Sequence, residues 1–398
     1  MRPAGNAISE RANLLYQTVE PLQQFFFESS WAKRFGEPGI CDFTIGNPHD
    51  TPMTAFTEAM QRWTLPRDKY WYSYKMNEAS AREVVAASLT RSHDLPFRPE
   101  DIFLTNGSIA ALAVVFDTIL DPGDEVIFIS PPWFLYEAMI LNAGGRPVRV
   151  KMDPNTFDLD LDAIASAINH KTRAVIVNSP HNPTGKIYPK ASLQELSKIV
   201  DSASTRNGRR VYLISDEAYR RIIFDGRKYL SPATLYPHTF VVYTYGKVLL
   251  APGQRIGYAA LPPHMPEAEQ LGKAMQAVQM IKGWSFPNAL LQHALGDLER
   301  ISVDMNRLQQ KRDRLVDTLE GQGYQVYRPE GTFYVMVRAP FGDDERFVDI
   351  LNSYDIFCIP GTLMDFPGHF RLSLTASDDM IDRAIPRFAK AFNNAAQG

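Results

Sequence analysis

A single lysine in a short turn is the first residue of this sequence that could carry covalent chemistry. The apolar run 240–243 ends in a turn of small residues that contains Lys247, and Arg255 follows before a second apolar run. A lysine is costly to bury unless it is paired or used, and buried amines serve as Schiff-base nucleophiles. Two interpretations are open: an ordinary surface lysine, which is the commoner case, or a reactive amine at the end of a strand.

The stretch Thr105–Ile109 could bind an anion. It places a glycine and a small hydroxyl, Gly107 and Ser108, at the predicted start of a helix. Free N–H groups and the positive end of the helix dipole point outward at such a position. The alternative is a simple helix N-cap formed by Ser108 or Asn106.

Aromatic and amide side chains follow two other predicted strands. Trp133 comes after two prolines and could stack on a flat ligand, or it could be a core tryptophan at a helix start. The loop 178–185 contains Asn178, His181 and Asn182, although its Asn-Pro and Thr-Gly pairs are also typical of an ordinary turn.

A carboxylate and a second phosphate-binding pair complete the candidates. Asp216 lies just after the predicted strand 210–214, with Tyr219 one helical turn later. A carboxylate facing a pyridine nitrogen would keep it protonated through a charge-assisted bond worth about 1.5–3 kcal/mol, whereas the alternative role is a helix N-cap. Thr244 and Arg255 suit a phosphate, the arginine as a bidentate donor.

These residues follow the strands of an alternating strand and helix pattern. Short apolar strands alternate with amphipathic helices, which predicts a mostly parallel sheet covered by helices. The predicted strands are 101–105, 125–129, 147–150, 173–178, 210–214, 240–243 and 256–261, and the predicted helices are 108–120, 133–142, 161–168 and 189–204. Because ligands of open α/β sheets bind outside the carboxyl ends of the strands, we expect the polar residues to meet at one edge.

Both ends of the chain depart from this pattern. Residues 8–36 look helical and are rich in aromatic side chains, either docked on their own core or packed as an arm on a second subunit. The region after residue 285 predicts a smaller α+β domain. Its predicted elements are one long helix over 290–321, strands at 324–327, 333–337 and 370–374, and a last helix over 380–392.

We therefore predict three parts. Residues 1–45 form an N-terminal arm or part of the small domain, residues 46–285 a large ligand-binding domain, and residues 286–398 the small C-terminal domain.

The composition excludes several classes of protein. The chain has 398 residues, of which 45% are hydrophobic, and a formal net charge of −3, so nucleic acid is not an expected partner. No apolar run is long enough for a bilayer, and the first residues lack the apolar core of a signal peptide. Cys41 and Cys358 show no metal-type spacing. A reducing, cytoplasmic location is the simplest expectation, with a structural disulfide as the alternative, and no metal site is predicted.

Together the candidates match the parts of one cofactor. An anion site, a stacking ring, a carboxylate, hydroxyl partners and an amine suit the phosphate, ring, nitrogen, phenolic oxygen and aldehyde of pyridoxal 5′-phosphate (PLP). Over most of its length the sequence resembles the PLP-dependent class I/II aminotransferases, the fold-type I family that includes aspartate aminotransferase. The most specific marks are 178–185, 216–219, 247–255 and 370–373.

The resemblance implies roles for the residues that match the cofactor site. Lys247 matches the lysine that forms the internal aldimine and shuttles protons, Asp216 the partner of the pyridine nitrogen, Asn182 and Tyr219 the partners of the ring oxygen, and Trp133 the stacking aromatic. The remaining matches to cofactor-binding positions are Gly107, Ser108, Ile109, Thr244 and Arg255, with Tyr72 reaching the phosphate of the neighbouring subunit.

The resemblance also implies a substrate site and an assembly. Arg371 matches the clamp for the substrate α-carboxylate, Asn178 lies beside that clamp, and Gly46 matches a backbone position close to the carboxylate. The implied fold is a three-layer large domain with a seven-stranded sheet and a smaller α+β domain. The implied assembly is a homodimer whose sites lie at the interface.

Four positions depart from the commonest family pattern. Gly246 stands where a serine usually precedes the lysine, Gln254 replaces a frequent tryptophan, and Asn77 replaces a glycine. Ile109 stands where some aspartate-specific members carry a lysine for the side-chain carboxylate. An apolar residue there weakens the expectation of a dicarboxylate substrate.

The sequence therefore predicts a PLP-dependent aminotransferase that moves an amino group between an amino acid and a 2-oxo acid. Other PLP reactions on the same scaffold are the alternative, namely β-elimination, decarboxylation or amino-acid oxidation. A non-catalytic PLP- or amine-sensing module ranks lower, because it would need a fused effector region. The sequence does not name the substrate.

Overall fold

The computed structural model describes residues 7–397 of the chain. The prediction that no signal peptide is present depends largely on residues that lie outside this range, as does the start of the predicted arm. The α-helices are α1 (Glu10–Glu28), α2 (Ser30–Arg34), α3 (Thr54–Thr64), α4 (Ala79–His93), α5 (Gly107–Ile119), α6 (Tyr136–Asn142), α7 (Leu161–Ala167), α8 (Lys190–Asn207), α9 (Ala268–Lys282), α10 (Ala289–Leu298), α11 (Met305–Gly321), α12 (Asp344–Ser353) and α13 (Asp378–Gln397).

The strands fall into a large sheet and smaller ones. They are β1 (Cys41–Asp42), β2 (Ile102–Thr105), β3 (Glu125–Ser130), β4 (Arg146–Lys151), β5 (Thr172–Asn178), β6 (Tyr212–Asp216), β7 (Thr239–Thr244), β8 (Gly257–Ala260), β9 (Val326–Tyr327), β10 (Tyr334–Arg338), β11 (Ile356–Phe357), β12 (Ile359–Pro360) and β13 (His369–Ser373).

The large sheet has seven strands in the order β2-β8-β7-β6-β5-β3-β4. β8 runs antiparallel to both of its neighbours, and the remaining pairs are parallel. This confirms the prediction of a mostly parallel seven-stranded sheet.

Helices cover both faces of the large sheet, which makes the three layers that were expected. Alternate residues of β5 point to opposite faces: Ile176 joins a core cluster with Phe116 of α5, whereas Val175 and Val177 join another with Leu196 of α8. Because both faces are buried, the strands are almost continuously apolar until they reach their carboxyl ends.

Polar residues replace apolar ones where these strands end. β5 ends at Asn178, which pairs in register with Asp216 at the end of β6. β7 ends at Thr244, which pairs with Gly257 of β8, and Gly257 also pairs with Thr105 at the end of β2. The sheet therefore brings residues that are far apart in sequence to one edge.

One predicted element is wrong. The single long helix expected over 290–321 is two helices, α10 and α11, separated by a turn at 299–304. Asp304 caps α11 by accepting from the backbone N–H of Arg307 at 3.0 Å, and the N–H of Val303 bonds to the carbonyl of Val248 at 2.9 Å. These local and tertiary hydrogen bonds replace helical ones. The helical periodicity of the sequence does not reveal them, so the break between the two helices was not predicted.

The small domain is built on a four-stranded antiparallel sheet in the order β12-β13-β10-β9. β1 pairs in parallel with β11, so the segment at Cys41 joins this end of the molecule. α10, in contrast, bonds to the N-terminal part of the large domain, through Trp63 to Asp297 at 2.7 Å and Gln292 to the carbonyl of Met76 at 3.0 Å. The three-part division stays a prediction, and these bonds favour a second boundary in the turn at 299–304 rather than at residue 285.

The aromatic N-terminal segment packs partly on its own chain. Phe25 and Phe26 lie 5.9 and 5.8 Å from the ring of Trp31, and Phe26 also contacts Phe134 at 6.2 Å. Phe27 remains 76% exposed. Both original interpretations therefore stay open, docking for Phe25 and Phe26 and an interface for Phe27.

Residues 7–397 contain neither a membrane-spanning helix nor a cluster of metal ligands. None of the helices is long and apolar enough to cross a membrane. Within the same range, no group of three or more histidine, cysteine or acidic residues is placed to hold a metal ion.

Candidate active site

A cavity of about 250 Å³ lies at the carboxyl ends of β5, β6 and β7. It collects all of the predicted site residues except Gly107 and Tyr72. Its walls are formed by Ile45, Gly46, Asn47, Ser108, Ile109, Trp133, Phe134, Leu135, Asn178, Asn182, Asp216, Ala218, Tyr219, Thr244, Gly246, Lys247, Pro252, Arg255, Tyr334 and Arg371.

Lys247 projects from the turn that follows β7. Its Nζ atom lies 5.7 Å from the ring centroids of both Tyr219 and Phe333. No carboxylate of the described residues lies within 4.0 Å of it. A Cβ atom at Gly246 would come within 3.1 Å of Pro252 Cα, a tight contact that favours glycine at the position before the lysine. The ammonium group is therefore held between aromatic rings and free to meet a ligand.

Gly107, Thr244 and Arg255 form a close cluster at the start of α5. Gly107 has φ +78°, and a Cβ atom there would lie 2.7 Å from Arg255 Nη2 and 3.3 Å from Thr244 Oγ1. Glycine avoids the strain that another residue would have in this left-handed conformation, and it leaves room for the Arg255 guanidinium. The Arg255 guanidinium donates to the carbonyl of Pro252 at 2.7 Å, and burial lowers its pKa.

The start of α5 is not capped by a side chain. Asn106, one of the two possible caps, donates instead to the carbonyl of Trp284. The first N–H groups of the helix consequently stay available next to Arg255, as an anion site requires.

Asp216 is buried at the end of β6. Its Oδ2 accepts from the Tyr136 hydroxyl at 2.6 Å, and its Oδ1 accepts from the Ala218 N–H at 3.2 Å. No helix follows directly, so the N-cap alternative does not apply. Burial raises the pKa of the Asp216 carboxyl, despite the lowering effect of these bonds. A cationic ligand would reverse that shift.

Arg371 is 2% exposed and has no carboxylate partner among the described residues. Its Nη1 donates to Asn182 Oδ1 at 3.0 Å and its Nη2 donates to the Thr44 carbonyl at 3.2 Å, while its Nε has no partner within residues 7–397. The guanidinium carbon lies 3.9 Å from the Tyr334 ring centroid. Burial lowers the pKa of this arginine. A buried cation with only neutral partners is suited to an anionic ligand.

Asn178 fixes the loop that carries Asn182. Its amide donates to the Asp216 carbonyl at 2.9 Å, and its Oδ1 accepts from the Asn182 N–H at 2.8 Å. Because both ends of the side chain bond to the backbone, Asn178 positions the neighbouring amide as well as lining the cavity.

Two tyrosines and a glycine shape the wall near Arg371. The hydroxyls of Tyr219 and Tyr334 are 3.5 Å apart. Burial raises the pKa of Tyr219, whereas for Tyr334 the charges of Lys247 and Arg371 outweigh burial and lower the pKa. A Cβ atom at Gly46 would lie 2.7 Å from the Tyr334 hydroxyl, so this backbone can approach only as glycine.

Sequence reasoning missed several residues of the site, among them Tyr136 and Tyr334. Tyr136 follows Trp133 by three residues, a spacing that places both on one side of a helical turn, and their rings are 5.3 Å apart. Tyr334 lies within a predicted strand, where its alternation with Phe333 could have drawn attention.

Tyr72 does not reach the cavity of its own chain. It is 57% exposed, and its hydroxyl donates to the carbonyl of Thr64. The implied contact with a neighbouring subunit stays a prediction.

Comparison with known proteins decides the family. The model of the family "Aminotransferase class I and II" matches residues 38–388. The chain belongs to this family. It is 34% identical over 361 residues to an aspartate/prephenate aminotransferase of Thermus thermophilus, covering 88% of this chain and 91% of that protein. It is 28% identical to an aspartate aminotransferase of Bacillus subtilis over 86% and 88% of the two chains.

Solved structures show the same relationship. An aminotransferase from Eubacterium rectale superposes with a TM-score of 0.86 at 28% identity, covering 98% of this chain and 96% of the other. The Thermus thermophilus aspartate aminotransferase with maleate gives 0.82 at 29% identity, over 97% and 100%. The fold prediction is confirmed, and this aminotransferase is PLP-dependent, as its family is. Lyase, decarboxylase, oxidase and sensing alternatives are not favoured.

The residues present fit the cofactor. The uncapped start of α5 beside Arg255 suits a phosphate, the buried Asp216 carboxylate suits a pyridine nitrogen, and the Lys247 amine suits an aldehyde. Among the cavity's described lining residues, Lys247, Arg255 and Arg371 are cations and Asp216 is an acid. The cavity therefore has an excess of positive charge, which matches a ligand set with a phosphate and a carboxylate.

Proposed function

We propose that this aminotransferase moves an amino group between an amino acid and a 2-oxo acid, with Lys247 as the reactive amine and Arg371 as the carboxylate clamp. The observation that carries this proposal is a buried arginine without an acidic partner, facing the same cavity as an unpaired lysine. When bound, PLP supplies an aldehyde and an electron-withdrawing pyridine ring.

Lys247 is proposed to be the attachment point of the cofactor and the carrier of a proton. Its flexible stem leaves a turn that is held by a bond from the Ala251 N–H to the Gly246 carbonyl at 3.0 Å. The Nζ atom can then move while the backbone stays in place. A free amine in this position can take the proton from the substrate α-carbon and return it to a neighbouring atom.

Asp216 is proposed to keep the pyridine nitrogen protonated. The bond from Tyr136 fixes one carboxylate oxygen, and the Ala218 N–H fixes the other, so the group is oriented before a ligand binds. A positive nitrogen in contact would favour the ionised carboxylate, which burial alone disfavours.

The phosphate is assigned to the start of α5. The N–H groups near Gly107, the hydroxyls of Ser108 and Thr244 and the Arg255 guanidinium all lie at this point. Arg255 supplies the compensating charge, since no acidic side chain of the described residues lies within 4.0 Å of it.

Arg371 and its neighbours are proposed to orient the substrate. A substrate carboxylate in the cavity would meet a guanidinium whose partners among the described residues are neutral, the Asn182 amide oxygen and the Thr44 carbonyl. Asn182 and Tyr219 are the proposed partners of the ring oxygen, Trp133 the stacking ring, and Gly46 the close backbone. Fixing the carboxylate and the ring together sets the α-carbon bond that faces Lys247.

We also propose a cytoplasmic homodimer with sites at the interface. Tyr70, Tyr72 and Tyr74 form an exposed aromatic stretch that a second subunit could cover, and Tyr72 is the residue expected to reach the partner's phosphate. Cys41 and Cys358 are both free and buried, which supports a reducing compartment.

A panel of single amino acids tests the reaction type. The purified, PLP-loaded protein is mixed with each amino acid without an acceptor, and the products are identified by mass spectrometry. Transamination predicts one equivalent of 2-oxo acid together with pyridoxamine phosphate. Release of ammonia, carbon dioxide or peroxide without pyridoxamine phosphate would contradict the proposal.

A further inference from the structure

A second, larger cavity adjoins the active site. It has a volume of about 440 Å³ and lies between α1 on one side and α5 and α6 on the other. Ile109 and Leu135 line both this groove and the active-site cavity. The groove and the active-site cavity therefore share a wall of two apolar side chains. Its other apolar walls include Leu15, Val19, Ala113 and Met139.

The groove exists because α1 is not packed tightly against the body of the molecule. Leu15, Val19, Leu22 and Phe26 are spaced so that they form one apolar face of the helix. None of the residues of this 19-residue helix is buried. Phe26 anchors the carboxyl end of the face against Phe134, while the part around Leu15 and Val19 lies over the groove.

The charges of the groove disfavour an anionic occupant. Asp117 is the charged side chain among its described lining residues, and Lys282 neutralises it at 2.7 Å. The cations of the active site already have proposed partners: Arg255 the phosphate and Arg371 the α-carboxylate. A second carboxylate, such as that of aspartate, would meet an apolar wall at Ile109 and no unused cation of the described residues.

The volume of the main cavity limits the size of the substrate that it can hold together with the cofactor. At about 250 Å³ it is below the range of about 300–1,000 Å³ that is common for ligand pockets. The cofactor and the amino and carboxylate groups of the substrate have to share it. A large substrate side chain must therefore extend beyond it, past Ile109 and Leu135.

We propose that the groove under α1 is a subsite for a large, uncharged, apolar substrate side chain, aromatic or long aliphatic. This inference rests on the proposed function and specifies its substrate class. It departs from the dicarboxylate named for the aspartate aminotransferases above.

Binding without turnover tests the subsite independently of the reaction. 3-Phenylpropanoate carries one carboxylate and an apolar ring, whereas succinate carries two carboxylates. Isothermal titration calorimetry on the PLP-loaded protein should give at least about tenfold tighter binding for 3-phenylpropanoate. Equal binding, or tighter binding of succinate, would overturn the proposal.

Variants of groove residues test whether the preference for an apolar side chain depends on the groove. Val19→Trp should fill the groove and lower the ratio of kcat/KM for phenylalanine over alanine about tenfold. Gln17→Trp adds the same bulk to an exposed position of the same helix and is the matched control. Ile109→Lys should shift the preference from phenylalanine towards aspartate, because it places a cation in the shared wall.

The outcomes separate the two proposals. If no amino acid yields a 2-oxo acid, the proposed function fails. If alanine or aspartate reacts but phenylalanine is not preferred, only the subsite fails. If Val19→Trp changes sedimentation but leaves the phenylalanine-to-alanine ratio unchanged, the groove belongs to a subunit interface and the subsite proposal is wrong. Should Val19→Trp not fold, Val19→Ala provides the second variant. It enlarges the groove, so the ratio of kcat/KM for tryptophan over alanine should rise.

Discussion

Two neighbouring carboxylates at the end of β6 lie in opposite surroundings. Glu217 is buried with His93 at 2.9 Å and Arg220 at 3.3 Å, and it accepts from Ser231 at 2.5 Å. Burial alone would raise its pKa, but these partners lower it to about 2. Asp216, the residue before it, has a hydroxyl and an N–H as partners, and burial raises its pKa.

Two buried arginines, Arg220 and Arg371, differ in the same way: one is neutralised by its neighbours and the other is not. Burial lowers the pKa of both Arg220 and Arg371, but nearby Tyr258 and Glu217 more than offset this effect for Arg220. Arg371 keeps a lowered pKa and an unpartnered Nε. Glu217, His93 and Arg220 thus form a neutralised cluster that supports the fold, whereas the charges of the cavity are left for ligands.

The largest effect should come from removing the cavity's amine. Lys247→Ala should lower kcat by at least about 10³-fold, because it removes both the attachment point and the proton carrier. Steady-state kinetics measures this loss. After borohydride treatment, mass spectrometry should find the cofactor on the wild-type peptide that contains Lys247 and nowhere in the variant.

An exposed lysine provides the control for this experiment. Lys198→Ala, on the surface of α8, should leave kcat and the labelled peptide unchanged. A Lys247→Ala protein that retains the reduced cofactor adduct would contradict the assignment.

Removing a charge from the neutralised cluster should lower the stability of the fold. Glu217→Gln leaves Arg220 without its carboxylate and should lower the free energy of unfolding by about 3 kcal/mol at pH 7. The native pKa of Glu217 lies below the unfolded value, so its stabilisation is complete above about pH 4.5 and is lost as the pH falls towards 2. Denaturant titrations of both proteins between pH 7 and 3 should show the difference shrinking. A difference that is constant with pH would contradict this account.

Asp216→Asn should not lower the free energy of unfolding of the PLP-free protein, in contrast to Glu217→Gln. The native pKa of Asp216 is raised, so this carboxyl contributes stability below its ordinary pKa of 3.8 and loses that contribution as the pH rises through the native value. At pH 7 the PLP-free variant should therefore be at least as stable as the wild type. Its affinity for PLP should fall about 10- to 100-fold, since a charge-assisted bond is lost. Thermal melting and fluorescence titration measure the two quantities, and a destabilised PLP-free variant would remove the contrast with Glu217.

The smallest effect should come from the hydroxyl that orients Asp216. Tyr136→Phe removes one hydrogen bond of 2.6 Å and should weaken PLP binding by about 1 kcal/mol, or roughly fivefold. Tyr188→Phe is the matched control, because the Tyr188 hydroxyl is buried without a partner among the described residues. Equal losses in both variants would mean that the bond to Asp216 has no specific role.

Much of the site could be predicted because it is local to strand ends. Asn178 and Thr244 are the first polar residues after apolar runs, Asp216 follows Ser215 at the end of another, and parallel strands bring such ends to one edge. The class of cofactor followed from the joint chemistry of these positions.

Features that depend on tertiary contacts were not predictable in this way. Tyr136 reaches Asp216 across 80 residues of sequence, and the turn between α10 and α11 depends on a bond from Val303 to Val248. The groove under α1 reflects how tightly a helix packs, which apolar periodicity does not specify.

Arg371→Met provides the most direct test of the central claim, that the unneutralised charges of the cavity are reserved for ligands. The variant replaces a buried cation with an apolar side chain of similar length. We predict an equal or higher melting temperature of the PLP-free protein, retained PLP, and about 100-fold weaker binding of amino acids, with no change for the corresponding amines that lack a carboxylate. A variant that loses about 3 kcal/mol of stability while binding amino acids as before would contradict the claim, because Arg371 would then be structural, like Arg220.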